Sequence, residues 1–311
     1  RLGVKPFYYA WQNGHFELCS QLGPLINRDS ELCDAAISTY LDCGYVPSPL
    51  SILKGVFKLP AGHFMVVDVA NNRRQLEPFW ELSPAPGDAA PPSYEEAQVA
   101  LKALLTDTVK IRLQADVPVG VFLSGGIDSA LVAALAAHSS SLPINTFTIA
   151  FDDPAFDESA HARRVAAHLG TNHHEETCAA ADVAAMIPSL PAIYDEPFAD
   201  SSALPSLVLN KLAKRHVTVA LAGDGGDESF FGYNHFDLLA RFMRVERVPH
   251  AIRRQLARLP WRYLSSARPD TIPSLLRLRD VSEFVLKTFT GYASLLAIPP
   301  TSRDLAARYG Q

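Results

Sequence analysis

Apolar and polar residues alternate along the first 82 residues in a pattern that predicts short β-strands. The runs PFYYAW and HFELC flank Gln12-Asn13-Gly14, and an Asn-Gly pair is typical of a β-hairpin turn. A further strand candidate, GHFMVVDV, ends at the turn residues Asn71-Asn72. Residues 1–82 are therefore predicted to be rich in β-structure.

Four prolines lie in the segment SPAPGDAAPPS, residues 83–93. Because proline can continue neither a helix nor a central strand, this segment predicts a linker between two domains. The predicted domains are residues 1–82 and residues 94–311. A length of 311 residues also favours two domains over one.

After the linker, predicted strands alternate with predicted helices, which is typical of parallel βαβ units. The second domain is therefore predicted to be α/β, with a parallel doubly wound sheet covered on both faces. Ligands bind such sheets outside the carboxyl ends of the strands. The predicted elements are a helix from 94 to about 114, strand 117–123, helix 128–138, strand 144–151, helix 158–169, strand 173–177, helices 181–194 and 204–215, and strand 217–221. The apolar stripe of the first helix comprises Ala97, Leu101, Leu104, Leu105 and Thr108.

The composition limits the kinds of partner to be expected. Hydrophobic residues make up 48% of the chain and the net charge is −5, so no overall basic character indicates nucleic-acid binding. No apolar run approaches about 18 residues and no leader is found, which predicts a cytoplasmic protein without a membrane partner. The four cysteines form no CxxC pair, so reduced thiols are expected. The chain starts at Arg1 rather than Met, and we expect it to be a fragment of a longer protein.

A glycine loop follows the first strand of this half, within the sequence VFLSGGIDSALVAAL of residues 121–135. It lacks the GxxxxGK[ST] pattern of a Walker loop, the GxGxxG dinucleotide pattern and the GxSxG nucleophile elbow. Paired glycines before a helix can bring backbone N–H groups to a phosphate. Asp128 would repel that phosphate unless Mg²⁺ lay between them. The alternative is an ordinary strand–helix turn that Asp128 caps.

A second glycine loop, AGDGGDE of residues 222–228, repeats this design after the strand predicted at 217–221. Its carboxylates, Asp224, Asp227 and Glu228, are close in sequence, and a bound cation would relieve their repulsion. Two such loops at the carboxyl ends of strands could face one cleft and share one metal–polyphosphate group.

Two further groups of polar residues have alternative interpretations. Seven arginines lie between residues 241 and 262, where they could bind anions, but a solvated helix face is the expectation. His173 and His174 stand beside two glutamates, which would suit a metal ion. The preferred interpretation is a strand edge packed near a nucleotide whose phosphates the glycine loops would bind, because a strand points adjacent side chains to opposite faces.

The SGGIDS loop resembles the pyrophosphate loop of the N-type ATP pyrophosphatases. Together with YDEPFADSSALPS, residues 194–206, and AGDGGDESFFGYN, it is similar to the synthetase domain of the glutamine-hydrolysing asparagine synthetases. The segments RLGVKPFYY, YLDCGYVPSPLSILKGVFKLPAGHFMVVD and PFWEL resemble the end of that family's glutaminase domain. The resemblance implies an adenine nucleotide alpha hydrolase-like sheet, preceded by the C-terminal part of an α+β glutaminase domain of the N-terminal nucleophile type.

The resemblance also implies a reaction, that of an ATP-dependent ligase and glutamine amidotransferase in asparagine biosynthesis. In the family, the side-chain carboxylate of aspartate is activated as an acyl-adenylate with release of pyrophosphate, and ammonia from glutamine then displaces AMP. The implied cofactors are ATP and Mg²⁺, the implied partners are aspartate, glutamine and ATP, and a homodimer is open. The segment DSSALPS, residues 200–206, occupies the region where the family recognises aspartate, although it lacks the usual threonine–arginine pattern. Another carboxylate therefore remains open as the substrate.

Individual residues of both loops acquire roles through this resemblance. Asp128 and Asp227 would bind Mg²⁺, and Asp224 matches an acid that is needed for adenylate formation. Leu123 and Ile149 would flank the adenosine. The implied ATP-binding residues are Leu123, Ser124, Gly125, Gly126, Ile127, Asp128, Ser129, Ile149, Ala222 and Gly223.

The chain departs from the family pattern at several positions. Ala130 replaces a common Ser or Thr, Ala222 replaces a serine, and Phe231 replaces a glycine. The family's N-terminal cysteine nucleophile and its late lysine have no match here, so we expect the fragment itself to be inactive. Two alternatives stay open: a related carboxylate-adenylating enzyme, such as one that closes a β-lactam ring, and a non-catalytic nucleotide-binding paralogue.

Overall fold

A computed structural model describes residues 1–12, 14–83, 91–261 and 271–289. The chain divides into two compact units, each of which is built from more than one segment. Most of the predicted linker lies outside the described residues, and the predicted domain boundaries stay predictions. The first unit contains Arg1–Glu81, Tyr194–Ala199 and the chain from Phe231 onward, and the second contains Leu82–Ile193 and Asp200–Phe230.

Antiparallel strands build the start of the first unit, namely β1 (Tyr8–Gln12), β2 (His15–Cys19), β3 (Val56–Lys58), β4 (His63–Asp68) and β5 (Arg73–Pro78). The predicted hairpin is confirmed, because β1 pairs with β2 and places Gln12 opposite His15. Gly14, in the turn, has a φ of +77°, a left-handed conformation that favours glycine. β3 extends this sheet on the other side of β1, while β4 and β5 form a hairpin of their own.

A 3₁₀ turn, Gly23–Leu25, and one α-helix, α1 (Asp34–Cys43), follow β2 in this part of the unit. The helix ends at Gly44, which is left-handed with a φ of 80° and donates its N–H to the carbonyl of Tyr40 at 2.7 Å. The apolar faces of β1 and β3 bury a small core. Its members are Tyr8, Ala10, Leu22, Leu25, Leu53 and Val56.

The second unit contains a four-stranded parallel sheet of order β8-β7-β6-β9. The predicted α/β fold class with a parallel sheet is therefore confirmed. Its strands are β6 (Val119–Phe122), β7 (Asn145–Phe151), β8 (Asn172–Cys178) and β9 (Val219–Leu221). Its helices are α2 (Tyr94–Leu113), α3 (Ile127–Ser139), α4 (Ser159–Leu169), α5 (Ala180–Met186), α6 (Leu190–Ile193), α7 (Ala203–Lys214) and α8 (Gly226–Phe230).

Apolar clusters cover both faces of this parallel sheet. Val121 and Leu123, at and just after the end of β6, are buried with residues of α2, α3 and α4. Phe122 points to the opposite face and packs with Phe147 and with Leu212 of α7. The sheet is doubly wound because consecutive residues of one strand serve two different cores.

The helix predicted from residue 94 is confirmed as α2, but its buried stripe differs from the prediction. Leu101 and Leu104 are 37% and 63% exposed. Leu105 of the predicted stripe packs on the core as expected, together with Val109 and Leu113. These three recur at every fourth position and so lie along one line of the helix surface.

The helix predicted at 181–194 is divided. A 3₁₀ turn, Ile187–Ser189, separates α5 from α6. Pro188 and Pro191 lie in this stretch, and proline lacks the N–H that a continuous α-helix requires. Within the described residues, no helix is both long and apolar enough to span a membrane.

Four helices complete the first unit within the described residues: α9 (Asn234–Glu246), α10 (His250–Leu256), α11 (Thr271–Arg277) and α12 (Val281–Phe289). Phe242, Leu278 and Phe284 form their buried apolar cluster. The expectation of a solvated arginine face is wrong for Arg253, which is 2% exposed. Its guanidinium donates to main-chain carbonyls, those of Val248, Leu278 and Arg279, at 2.9, 2.6 and 2.8 Å.

Candidate functional site

The two glycine loops leave neighbouring strands at the same edge of the parallel sheet. β6 and β9 pair in parallel, with Val119 opposite Val219 and Val121 opposite Leu221. The first loop connects β6 to α3, and the second connects β9 to α8. Because the paired strands end at the same level, both loops lie at one carboxyl edge, where parallel α/β sheets bind ligands.

The loops approach each other so closely that a side chain at either of two positions of the second loop would require the first loop to shift. A Cβ atom at residue 223 would lie 2.7 Å from the backbone nitrogen of Ser129 and 3.0 Å from the carbonyl carbon of Asp128. A Cβ atom at residue 226 would lie 2.5 Å from Cγ of Asp128. Gly223 and Gly226 therefore let the second loop pack directly against the start of α3.

Asp128 is the second residue of α3, and the interpretation of this residue as the helix cap is wrong. The N-cap is Gly126, and no side chain caps the helix by a hydrogen bond. A carboxylate in the first turn is nevertheless stabilised by the positive end of the helix dipole. The half-buried side chain of Asp128 lies against Gly226 at this position.

The hydroxyl groups of the first loop bond within the loop itself. Ser129 is 8% exposed, and its Oγ accepts the N–H of Ser124 at 3.0 Å. The two serine hydroxyls share a hydrogen bond of 2.8 Å, and the N–H of Gly126 donates to Ser124 Oγ at 3.1 Å. In this structure, Ser124 and Ser129 therefore hold the shape of the loop.

Sequence reasoning missed Glu158, which comes immediately before α4. Its Oε2 accepts the backbone N–H of Gly125 at 3.1 Å. A carboxylate therefore already bonds one of the N–H groups that are expected to bind phosphate. The approach is tight, because a Cβ atom at residue 125 would lie 2.9 Å from Cβ of Glu158. The sequence feature that could have identified Glu158 is its place after strand β7, at the edge of the sheet where the two glycine loops lie.

The three acids of the second loop are differently placed. Asp224 is exposed in the loop, whereas Asp227 and Glu228 lie in the first turn of α8. Among the described residues, no three His, Cys, Asp or Glu side chains are grouped so as to hold a metal ion. A metal shared by the two loops would therefore take further ligands from a bound substrate or water.

The residues expected near adenosine differ in their exposure. Leu123 is 2% exposed and its side chain belongs to the core. Its N–H donates to Phe147 at 2.9 Å, and its carbonyl accepts Thr148 Oγ1. The pairing of Phe122 with Phe147 places the half-buried Ile149 level with the start of the loop. Ile127 is 85% exposed.

The three departures from the family pattern have distinct surroundings. Ala130 packs against the apolar core that α3 helps to form. Ala222 is half-buried just after β9. Phe231 keeps a left-handed φ of 59°, the conformation that a glycine would adopt without strain. Its ring contacts Phe236 edge-on, with ring centroids 5.0 Å apart.

His173 and His174 lie toward the amino ends of the strands, whereas the glycine loops follow the carboxyl ends of β6 and β9. Both are at the start of β8, where Asn172 pairs with Asn145, so they lie at the amino edge of the sheet, and their expected place near the nucleotide stays a prediction. They point to opposite faces, as expected: His173 bonds Thr146 at 3.0 Å, whereas His174 bonds Asn145 at 3.1 Å. Burial lowers the pKa of both imidazoles.

The fold and the paired loops define the class of this protein: a doubly wound α/β protein whose carboxyl edge presents backbone N–H groups and a carboxylate together. The chain belongs to the asparagine synthase family, because the family model described as "Asparagine synthase" matches residues 100–288. A second model, described as "Glutamine amidotransferase domain", matches residues 1–80.

Similar proteins have related names. The chain is 36% identical over 268 residues to "Putative asparagine synthetase [glutamine-hydrolyzing] 2" of Methanocaldococcus jannaschii, covering 84% of this chain and 51% of that protein. It is 30% identical over 260 residues to "Asparagine synthetase [glutamine-hydrolyzing] 1" of Bacillus subtilis, covering 82% and 40%. It is 32% identical over 260 residues to "Amidase chyE" of Penicillium rubens, covering 77% and 38%. The chain thus spans about half or less of the length of these relatives.

Two solved structures share a more distant likeness with the chain. One is an NH3-dependent NAD synthetase from Campylobacter jejuni, with a TM-score of 0.32 at 18% identity over 44% of this chain and 60% of that one. The other is an NMN synthetase from Francisella tularensis, with a TM-score of 0.32 at 23% identity over 46% and 59%.

Proposed function

We propose that the whole protein is an ATP-dependent amidotransferase of the asparagine synthetase type. One observation carries this proposal: Asp128, at the start of α3, lies against Gly226 of the second loop. The second loop therefore contacts the chain directly after Gly125 and Gly126 of the first loop. This arrangement brings a carboxylate beside backbone N–H groups at a helix start, which suits a polyphosphate with its Mg²⁺. Membership of the asparagine synthase family supports the same reaction.

In the proposed reaction, a side-chain carboxylate oxygen of aspartate attacks the α-phosphorus of ATP. The bond to pyrophosphate breaks as the new oxygen–phosphorus bond forms, which leaves an acyl-adenylate. Ammonia released from glutamine then attacks the acyl carbon, and AMP leaves with the former carboxylate oxygen. The protein supplies orientation and charge stabilisation rather than a covalent nucleophile in this half of the reaction.

ATP would lie along the first loop. The backbone of Ser124, Gly125 and Gly126 would face the pyrophosphate portion, and phosphate binding at Gly125 would displace the Glu158 carboxylate. The remaining residues proposed to contact ATP are Leu123, Ile127, Asp128, Ser129, Ile149, Ala222 and Gly223.

Mg²⁺ would be held by Asp128 and Asp227, together with phosphate oxygens and water. This fits the donors available, because Mg²⁺ is commonly bound by one or two carboxylates with the other ligands from substrate and water. When bound, the ion would neutralise the negative charge of the phosphates. Asp224, exposed in the same loop, is proposed to act in adenylate formation.

The remaining parts of the proposal concern the whole protein. Residues 1–82 would be the C-terminal part of a glutaminase domain that supplies ammonia, which the amidotransferase match to residues 1–80 supports. The proposed acceptor is aspartate, bound near residues 200–206. The proposed location is the cytoplasm, and the proposed assembly is a homodimer. The relatives named above are asparagine synthetases and an amidase, which does not favour the ring-closing alternative.

ATP–pyrophosphate exchange in the whole protein, with and without aspartate, tests this proposal. Aspartate is expected to stimulate exchange, and Asp128→Asn is expected to reduce it at least tenfold, because one charge opposite Mg²⁺ is removed (about 1.4 kcal/mol per tenfold). Asp107→Asn is the matched control, since Asp107 is exposed on α2 of the same unit and should leave exchange unchanged.

Two results would contradict the proposal. ATP binding without exchange for any carboxylate would falsify the enzymatic function and would favour the non-catalytic paralogue. Full exchange activity in Asp128→Asn would show that the metal assignment is wrong while leaving the reaction intact.

A further inference from the structure

Helix α2 carries a row of mostly apolar side chains that the described residues leave largely exposed, here called the outer stripe. Its members are Tyr94, Ala97, Leu101, Leu104, Thr108 and Ile111. Tyr94, Leu104 and Ile111 are 76%, 63% and 56% exposed, and Leu101 is 37% exposed. Single exposed apolar side chains are ordinary on protein surfaces, but a contiguous row of them indicates an interaction surface.

The spacing of the outer stripe is typical of paired helices. Its members follow one another at intervals of three, four, three, four and three residues. This alternation gives the repeat of about 3.5 residues by which two helices pack along their length. The buried stripe of α2, formed by Leu105, Val109 and Leu113, recurs at every fourth residue and packs on the core of its own unit. The helix therefore has a second apolar face, separate from the one that it buries.

The outer stripe is also symmetric about its centre, which lies between Leu101 and Leu104. Two copies of α2 can be placed antiparallel so that Leu101 of each copy faces Leu104 of the other. Tyr94 of each copy is then level with Ile111 of the other, and the remaining members of the stripe also meet one another. A two-fold interface requires such a self-complementary surface, because both copies contribute the same patch.

The charges of α2 favour the antiparallel arrangement. Glu95 and Glu96 lie in the first turn of the helix, Lys110 and Arg112 lie in the last turn, and all four side chains are exposed. The other two charged residues of α2 lie nearer its middle. An antiparallel pair brings the acidic end of each copy to the basic end of the other, whereas a parallel pair would bring like charges together. The same distribution suits the dipole of α2 itself, so a test must separate pairing from helix stability.

We propose that the outer stripe of α2 is the contact surface of a homodimer, in which it packs antiparallel against the same stripe of a second copy of this chain. This inference rests on the homodimer of the proposed function and specifies its surface. Adenylation within one chain does not require the contact, so the interface and the reaction can fail separately.

Leu104→Glu in the whole protein tests the apolar part of the contact. By symmetry the change enters the interface twice, and each carboxylate would face Leu101 of the other copy without a cation. Sedimentation velocity over a range of protein concentrations measures the dissociation constant of the dimer. We expect this constant to rise by about tenfold or more, because burial of an unpaired charge is costly.

Val99→Glu is the matched control for Leu104→Glu. Val99 is 71% exposed on the same helix, but it lies on the side of α2 opposite the centre of the outer stripe. The same charge is therefore introduced outside the proposed contact. It should change the dissociation constant by less than about twofold, as expected of a surface substitution.

Charge reversal tests the orientation of the two copies. Glu95→Lys and Lys110→Glu should each raise the dissociation constant about fivefold at low salt, because each homodimer then contains two pairs of like charge. An equimolar mixture of the two variants should associate with nearly wild-type affinity, since both pairs of the heterodimer are again of opposite charge. Mixing cannot repair a loss of helix stability within either chain, so this recovery would identify pairing between copies.

Three outcomes would overturn the proposed interface. They are a monomeric whole protein, a dimer that Leu104→Glu and Val99→Glu weaken equally, and charge-reversed variants whose affinity is not restored by mixing. Should Leu104→Glu fail to fold, the mixture of charge-reversed variants decides alone.

Two further results separate this inference from its alternatives. If another part of the whole protein covers the outer stripe, the protein should be monomeric and Leu104→Glu should lower the melting temperature far more than Val99→Glu. A wild-type dimer without ATP–pyrophosphate exchange would contradict the proposed reaction and leave the interface intact, whereas a monomer with full exchange would do the reverse.

Discussion

The carboxyl group of Asp128 lies so close to the backbone of Gly226 that a side chain on residue 226 would require the carboxyl group to move. A Cβ atom there would come within 2.5 Å of Cγ of Asp128. Asp128 follows strand β6 and Gly226 follows strand β9, so this contact joins two loops nearly one hundred residues apart in the sequence. The contact makes these loops one site.

Gly226→Ala tests that contact directly. Alanine suits the first residue of α8, so the expected defect comes from overlap with Asp128, which should lower the free energy of unfolding by about 1–3 kcal/mol. Pyrophosphate exchange should fall at least tenfold, because Asp128 must move. Gly23→Ala is the control, since a Cβ at residue 23 meets nothing within 4 Å. Wild-type exchange in Gly226→Ala would show that the position of Asp128 is unimportant.

Glu158→Gln is expected to tighten ATP binding severalfold. The Glu158 carboxylate accepts the N–H of Gly125, and its negative charge opposes an incoming phosphate. Titration calorimetry measures the dissociation constant of Mg-ATP for wild type and variant. This constant should depend less on salt concentration in the variant than in wild type. Weaker binding in the variant would indicate that Glu158 assists the nucleotide instead.

Arg253→Met is expected to destabilise the helices of the first unit. Three main-chain carbonyls would lose a charged donor, and an unsatisfied buried polar group costs about 1–3 kcal/mol. We expect a total loss of about 3 kcal/mol, measured by denaturant unfolding. Arg254→Met is the control, because Arg254 is exposed on the same helix and should change the free energy of unfolding by less than about 0.5 kcal/mol. Equal losses would refute the special role of Arg253.

The stability of the second unit should fall as the pH drops below about 6.5, the ordinary pKa of histidine. Burial, followed by the charges of His216 and His173, lowers the pKa of His174. The unfolded chain therefore binds this proton at a higher pH than the folded chain, so stability is complete above the unfolded pKa and is lost as the pH falls toward the folded pKa. The His174 ring stacks on His216 with centroids 3.8 Å apart, where two charged rings would repel.

Melting temperatures at about pH 7.5 and about pH 5.5 check this expectation. The drop between the two should be smaller in His174→Phe than in wild type by about 2 °C, because the variant lacks the titrating group. His168→Phe, at an exposed position of α4, is the control and should keep the wild-type drop. An equal drop in His174→Phe would show that other groups cause the acid sensitivity.

Local patterns predicted most of the elements correctly. Apolar periodicity located β7 and α4 almost to the residue, since it depends on the chain's own repeat of 2 or 3.6 residues. It placed Leu105 correctly on the buried stripe of α2 but Leu101 and Leu104 wrongly, because all three fit a helical repeat and only the neighbouring core distinguishes them. It also overlooked the interruption that Pro188 introduces before α6.

By itself, the sequence determined the α/β class, the two glycine loops and the motifs of the asparagine synthase family, because strands, turns and loop motifs are properties of short stretches of chain. Only the tertiary structure decided what lies beside those motifs. It placed Glu158 on Gly125, closed Gly226 onto Asp128 and brought Glu196 to Lys58 in another segment. Such pairs arise from the packing of whole elements against one another, and no pattern within a single stretch of sequence contains that information.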